Sequence, residues 1–218
     1  MVVKDDRDGE FLYESIAFAT CSTSEEVLAV ANEELSVLSG VLKLARDSFE
    51  PLRTGAVYRL NPAGGRDVFV RITETLQLRC EVEEITLTVT DNQGNVVISP
   101  SPPPRAVLIA ALAATDIAVA KAMRLLSAAD SKSWVGLYRL YEVIEADIGG
   151  GHALKKCGWG SARDLKRFKH SANSVTVAGD AARHGKELEV PPTHPMSEGE
   201  AVAYVNYVLQ AWLAAKGA

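Results

Sequence analysis

Four prolines within five positions, Pro100, Pro102, Pro103 and Pro104, constrain this 218-residue chain more than any other feature. Each fixes φ and lacks an amide hydrogen, so neither a helix nor a central strand runs through them. The hydrophobic period also changes across them. A domain boundary is therefore expected there, between an α+β domain over 1–99 and a helical bundle over 105–218.

In the first part, Thr23-x-x-Glu26 reads as a capping box. Ala31, Leu35, Leu38, Leu42, Ala45 and Phe49 follow in steps of three and four, which predicts a helix of about six turns ending before Pro51. Gly40 inside it costs about 1 kcal/mol against alanine. Then the period becomes two. Val57, Phe69 and Ile72 flank an Asn61-Pro-Ala-Gly-Gly65 turn. Leu76, Leu78, Cys80 and Val82, then Ile85, Leu87 and Val89, alternate with polar neighbours before Asp91-Asn-Gln-Gly94 turns into Val96-Val-Ile98. A further strand is expected over 11–20. The predicted architecture is a long helix on an antiparallel sheet.

Beyond the prolines, the stretch Ala106 to Met123 carries Asp116 and Lys121 and reads as part of a buried bundle helix over 105–127 rather than a membrane span. Trp134, Leu137, Tyr138, Tyr141, Ile144 and Ile148 describe a second helix, stopped by Gly149-Gly-Gly151. A third runs from Ser161 to about His170. Ser197-x-x-Glu200 caps a fourth, with Ala201, Val205, Val208 and Trp212 facing inward. The aromatic set Trp134, Tyr138, Tyr141, Tyr204, Tyr207 and Trp212 is more than a small bundle needs inside. A homodimer through this half is therefore expected.

The balance of 23 Lys+Arg against 28 Asp+Glu excludes a chain that coats duplex DNA. Cys21, Cys80 and Cys157 are far apart and form no CxxC pair, which points to a reducing compartment, with cytoplasm as the expected location. The first ten residues are too charged for a secretory signal, and no membrane segment is expected. There is no GxxxxGK, GxGxxG after a strand, GxSxG or HExxH, so no cofactor is expected.

Charge is distributed unevenly. From His152 to Lys186 eight cations (Lys155, Lys156, Arg163, Lys166, Arg167, Lys169, Arg183 and Lys186) face only Asp164 and Asp180, a local balance of +6 on an otherwise acidic chain. Such an island either docks against the protein's own acidic side chains, Glu142, Glu145 and Asp147 among them, or focuses a phosphate-bearing partner such as RNA. Lys155, Lys156, Lys166, Arg167 and Lys169 are the candidate nucleic-acid contacts. His152, His170 and His184 lie within the island and His194 just beyond. A histidine among arginines can move a proton while the arginines hold developing charge, which suits metal-independent attack by a 2′-hydroxyl on its own phosphodiester. Arg163, Arg167 and His170, spaced by four and three, share one helix stripe, as they also would on any exposed amphipathic helix. The small, polar segment from Ser171 to Asp180 reads as a loop presenting Asn173 and Asp180 beside Arg183 and His184, or as a connection in which Arg183 pairs with Asp180. His152, Cys157, His170, His184 and His194 lack metal-site spacing, and the cationic surroundings repel a metal, so none is expected.

The stretch Arg163-Asp-Leu-Lys-Arg-Phe-Lys-His170 resembles the Arg-(polar)-spacer-His motif of HEPN domains, with a spacer at the long end of the family's range. These helical-bundle proteins are widespread among bacterial toxins, antiphage systems and CRISPR-associated ribonucleases. The resemblance covers only the C-terminal half. It implies an RNA-binding or RNA-cleaving module, with Arg163 and His170 acting together at a dimer interface and no metal. Ala-Arg183-His184-Gly185 is a second place for it, although adjacent Arg and His depart from the family's spacing. Some HEPN-like proteins only bind or dimerise, so a non-catalytic interaction module is the alternative.

Overall fold

The computed structural model describes residues 2–4, 11–45, 50–61, 65–69, 104–184, 186 and 190–218. It is α+β and mostly helical. Two compact units are present: Met1–Thr54 with Arg105–Ala218, and Gly55–Pro104. The strands expected over 76–98, and Ile72, lie outside the described residues.

In the larger unit, β1 (Val2–Lys4) pairs antiparallel with β2 (Phe11–Tyr13). Most of the rest of the strand expected over 11–20 is instead a 3-10 turn, Ile16–Thr20, whose Ala17 amide donates to Ser15 Oγ at 3.3 Å. The predicted capping box opens α1 (Ser24–Ala45): the Glu26 amide donates to Thr23 Oγ1 at 3.2 Å and the Thr23 amide to Glu26 Oε2 at 3.3 Å. The buried face of α1 packs on α2 (Arg105–Ala113) and α3 (Ile117–Ser127), while most of the sheet expected against it lies outside the described residues. Gly40 is the reason α1 fits: a Cβ there would run into the Met123 backbone of α3. The glycine that looked like a cost to the helix is the notch that lets two backbones meet. The boundary expected at the prolines therefore does not separate α1 from the bundle, because α1 supplies Val41 to the bundle's core.

The single helix expected over 105–127 is two, bent by 117°. Asp116 breaks it by accepting from the Ala118 and Val119 amides, at 2.9 and 3.1 Å, as the N-cap of α3. No single described helix is long and apolar enough to cross a membrane. α4 (Trp134–Asp147) follows, and Gly149 and Gly150, both at positive φ, end its last turn and lead into α5 (Gly151–Cys157). Next come α6 (Ala162–Asn173), the short α7 (Val175–Ala178) and α8 (Glu198–Ala215). Ser197 and Glu200 form the predicted capping box of α8.

Trp134, Tyr138, Tyr141, Tyr204 and Trp212 are buried, and Phe168 of α6 sits among four of them, with ring centroids 5.5 to 6.4 Å away. Only Tyr207 of the six aromatics proposed for a dimer surface is exposed. The other five fill the core, so the surplus on which a dimer was expected is not on the surface. In the smaller unit β3 (Val57–Leu60) pairs antiparallel with β4 (Arg66–Phe69), in register Val57 with Phe69. The Asn61 side chain accepts from the Gly65 amide at 2.8 Å and closes the predicted turn.

Lys216, just beyond α8, ties three elements together. Its Nζ lies 2.6 Å from Asp116 and 2.8 Å from Asp147, whose carboxylate also accepts from Trp212 Nε1. The Lys216 hydrogen bond holds the Asp116 carboxyl below its ordinary 3.8. Partial burial pulls Lys216 down, but its two carboxylate partners outweigh this and raise it. Lys216→Met keeps an apolar side chain of similar length and leaves the two carboxylates, and the Trp212 ring under Nζ, without their cation. It should lower stability by about 1–2 kcal/mol. A depressed carboxyl stabilises above its unfolded pKa and loses that contribution as pH falls through the folded one. The gap in melting temperature between wild type and variant should therefore hold near neutrality and shrink in acid below pH 3.8.

A cationic groove along helix α6

α6 is strongly two-faced. Leu165, Phe168, Ser171 and Ala172 are buried, while Arg163 and Lys166 are exposed. Ser161 caps its start, accepting from the Asp164 amide at 3.0 Å. Opposite its outer face lies the segment Val190–Met196, in which Pro191, Pro192 and Pro195 favour an extended backbone. α6 holds this strap at three levels. His170 Nε2 lies 2.9 Å from the Val190 carbonyl oxygen, Ser171 Oγ accepts from the Met196 amide at 2.8 Å, and Arg167 donates to the His194 and Pro195 carbonyls. Between strap and helix runs a groove of about 1080 Å³.

The basic island divides in two. Lys169 is bound to Glu145 at 2.7 Å and lies over the Tyr141 ring. Arg183 is bound to Glu142 at 2.7 Å and lies over Tyr138 at 4.4 Å; its partner is Glu142, not the expected Asp180. Arg167 reaches Glu200 at 3.2 Å. The backbone hydrogen bond from Ser197, then its hydroxyl and Arg167, keep the Glu200 carboxyl below its ordinary value. Docking on Glu142, Glu145 and Glu200 thus accounts for these three cations, while Asp147 is occupied by Lys216 instead. Lys155, Arg163 and Lys166 are exposed, without an ion pair among the described residues, and line the groove, as the paired Arg167 and Lys169 also do. Lys156 is exposed but outside it. Among the described lining residues there is no carboxylate.

His170, His184 and His194 line the same groove, so the structure gathers three histidines that are distant in sequence. The segment expected as a loop over 171–180 is mostly helical, ending α6 and forming α7, because Ser174 starts a new turn at the end of the old one. Asn173 does share the groove with His184, whereas exposed Asp180 does not line it. No group of three His, Cys, Asp or Glu side chains that could hold a metal ion is found among the described residues. The chain matches no protein-family model, no curated protein and no solved structure.

Two groove features escaped the sequence reading. One is the strap, signalled only by Pro191, Pro192 and Pro195. The other is Ser174, which is 1% exposed and whose Oγ has no hydrogen-bond partner; the neighbouring Asn173 Oδ1 is likewise buried without one. Nothing in a Ser-Val-Thr-Val run distinguishes such a serine from a cap.

Proposed function

We propose that the protein is an RNA-binding module of HEPN-like character, holding a single strand along the groove beside α6. The observation that carries this reading is the convergence of Lys155, Arg163 and Lys166 on one groove with no lining carboxylate among the described residues. Cations already paired with Glu142, Glu145 and Glu200 have less to offer a phosphate. Three unpaired ones along a groove give a strand's backbone successive places to rest.

Each phosphate neutralised on a single strand contributes about −0.7 to the slope of log affinity against log salt, so three contacts give about −2. Raising salt from 50 to 200 mM should then weaken binding to a labelled RNA about twentyfold. Charge reversal at Lys155, Arg163 and Lys166 together should abolish the slope and the binding. Reversal at Lys156, outside the groove, should change little. Fluorescence anisotropy measures both; binding that ignores salt, or that survives the triple reversal, overturns the proposal.

A second reading, cleavage of the bound strand, is favoured by two histidines, His184 and His194, whose imidazoles make no hydrogen bond among the described residues, in the groove that holds Arg163. The ribose 2′-oxygen would attack phosphorus and the bond to the 5′-oxygen would break. One histidine would take the 2′ proton, one group would return a proton to the leaving oxygen, and Arg163 would face the charged phosphorane.

A further inference from the structure

Ser174 stands where a serine normally caps a helix, at the junction of α6 and α7, yet its hydroxyl makes no capping bond. The turn that follows is closed by the Ser174 carbonyl, which accepts from the Val177 and Ala178 amides. The hydroxyl therefore remains unspent, 1% exposed and unpartnered, in a residue that lines the groove. On the preceding residue, which also lines the groove, Asn173 Oδ1, an acceptor only, is buried and unpartnered. Leaving a buried polar group unpaired is costly, and two on consecutive residues lining a cationic groove are unexpected unless something meets them.

The two atoms differ in kind. Ser174 Oγ offers a donor, and Asn173 Oδ1 demands one. A bare phosphate oxygen satisfies the first and not the second. A ribose 2′-hydroxyl satisfies both, accepting from Ser174 and donating to Asn173, and it is the group that separates RNA from DNA. Resting on the reading of the groove as an RNA site, we propose that Ser174 and Asn173 read a 2′-hydroxyl and make the groove selective for ribose over deoxyribose.

The test uses the full chain with labelled RNA and DNA strands of one base sequence. Wild type should bind the RNA about tenfold more tightly. Ser174→Ala and Asn173→Ala should each bring the RNA-to-DNA ratio towards one, whereas Lys166→Gln should weaken both strands and keep the ratio. Thermal melting supplies an independent readout. A hydroxyl that serves the fold lowers the melting temperature when removed, while an unpaired one leaves it equal or higher in Ser174→Ala. Salt-dependent binding of RNA and DNA with equal affinity by wild type overturns this inference and leaves the groove reading standing. A lowered melting temperature in Ser174→Ala with an unchanged ratio overturns it too. Binding of neither strand removes the groove reading itself, and this one with it.

Discussion

Phe168→Ala is expected to lower the unfolding free energy by about 3–5 kcal/mol, the range for emptying a buried aromatic position. The side chain is fully buried, and its ring touches Trp134 and Tyr138 in stacked geometry, Tyr141 edge-on and Tyr204 at a tilt. These neighbours come from α4 and α8, so Phe168 joins three helices at once. It also lies on the helix that presents Arg163 and Lys166 to the groove and anchors the strap through Arg167, His170 and Ser171. Site and core thus share one element. RNA binding should fall with stability in Phe168→Ala, and Phe168→Leu, which empties less volume, should lose less of both. Urea unfolding followed by near-ultraviolet signal from the aromatic cluster measures the first effect. A loss under about 1 kcal/mol would mean that α6 is held by its surface contacts rather than by this ring.

What the sequence made legible follows from which forces are local. Capping boxes at Thr23 and Ser197 and the glycine stop at Gly149 and Gly150 are settled within a turn of chain, and they appear where the spacing put them. The partner of α1 was not legible. Its apolar stripe says that the helix is covered and is silent on what covers it, and the prolines suggested a division that the core does not respect. Only Gly40 hinted at a close backbone neighbour, and a lone helical glycine reads first as a defect. The same limit governs the site. The +6 island was visible, but not which cations were spent: Arg183 finds Glu142 forty-one residues away, and Lys169 finds Glu145. The aromatic surplus misled for a related reason. Six aromatics looked like more than a small bundle needs inside, yet five are buried, and Tyr141 settles its hydroxyl on Glu145 at 2.8 Å. Burial, then that hydrogen bond, push its phenol well above the usual range.

The largest kinetic effect is expected at His184. If the bound strand is cleaved, losing a general acid or base should reduce the rate by 10² to 10⁴-fold. His170 has the motif spacing from Arg163, but its Nε2 lies 2.9 Å from the Val190 carbonyl oxygen and helps hold the strap. His184 is half-buried in the groove and its imidazole makes no hydrogen bond among the described residues, so it is the freer to accept and return a proton. The two substitutions should therefore differ in kind. His184→Ala should lose cleavage with its melting temperature unchanged, while His170→Ala should lose some stability along with activity as the strap loosens. Both are measured in EDTA, with a 2′,3′-cyclic phosphate end on the product as the mark of 2′-hydroxyl attack. Arg163→Lys keeps one charge but not the planar fork that can hold two phosphorane oxygens, so its rate should fall while salt-dependent binding persists. Cleavage lost in His170→Ala with the fold intact would return the proton transfer to the Arg163 and His170 pair. Wild-type protein that binds RNA and leaves it whole would remove cleavage and keep the groove as a binding site alone.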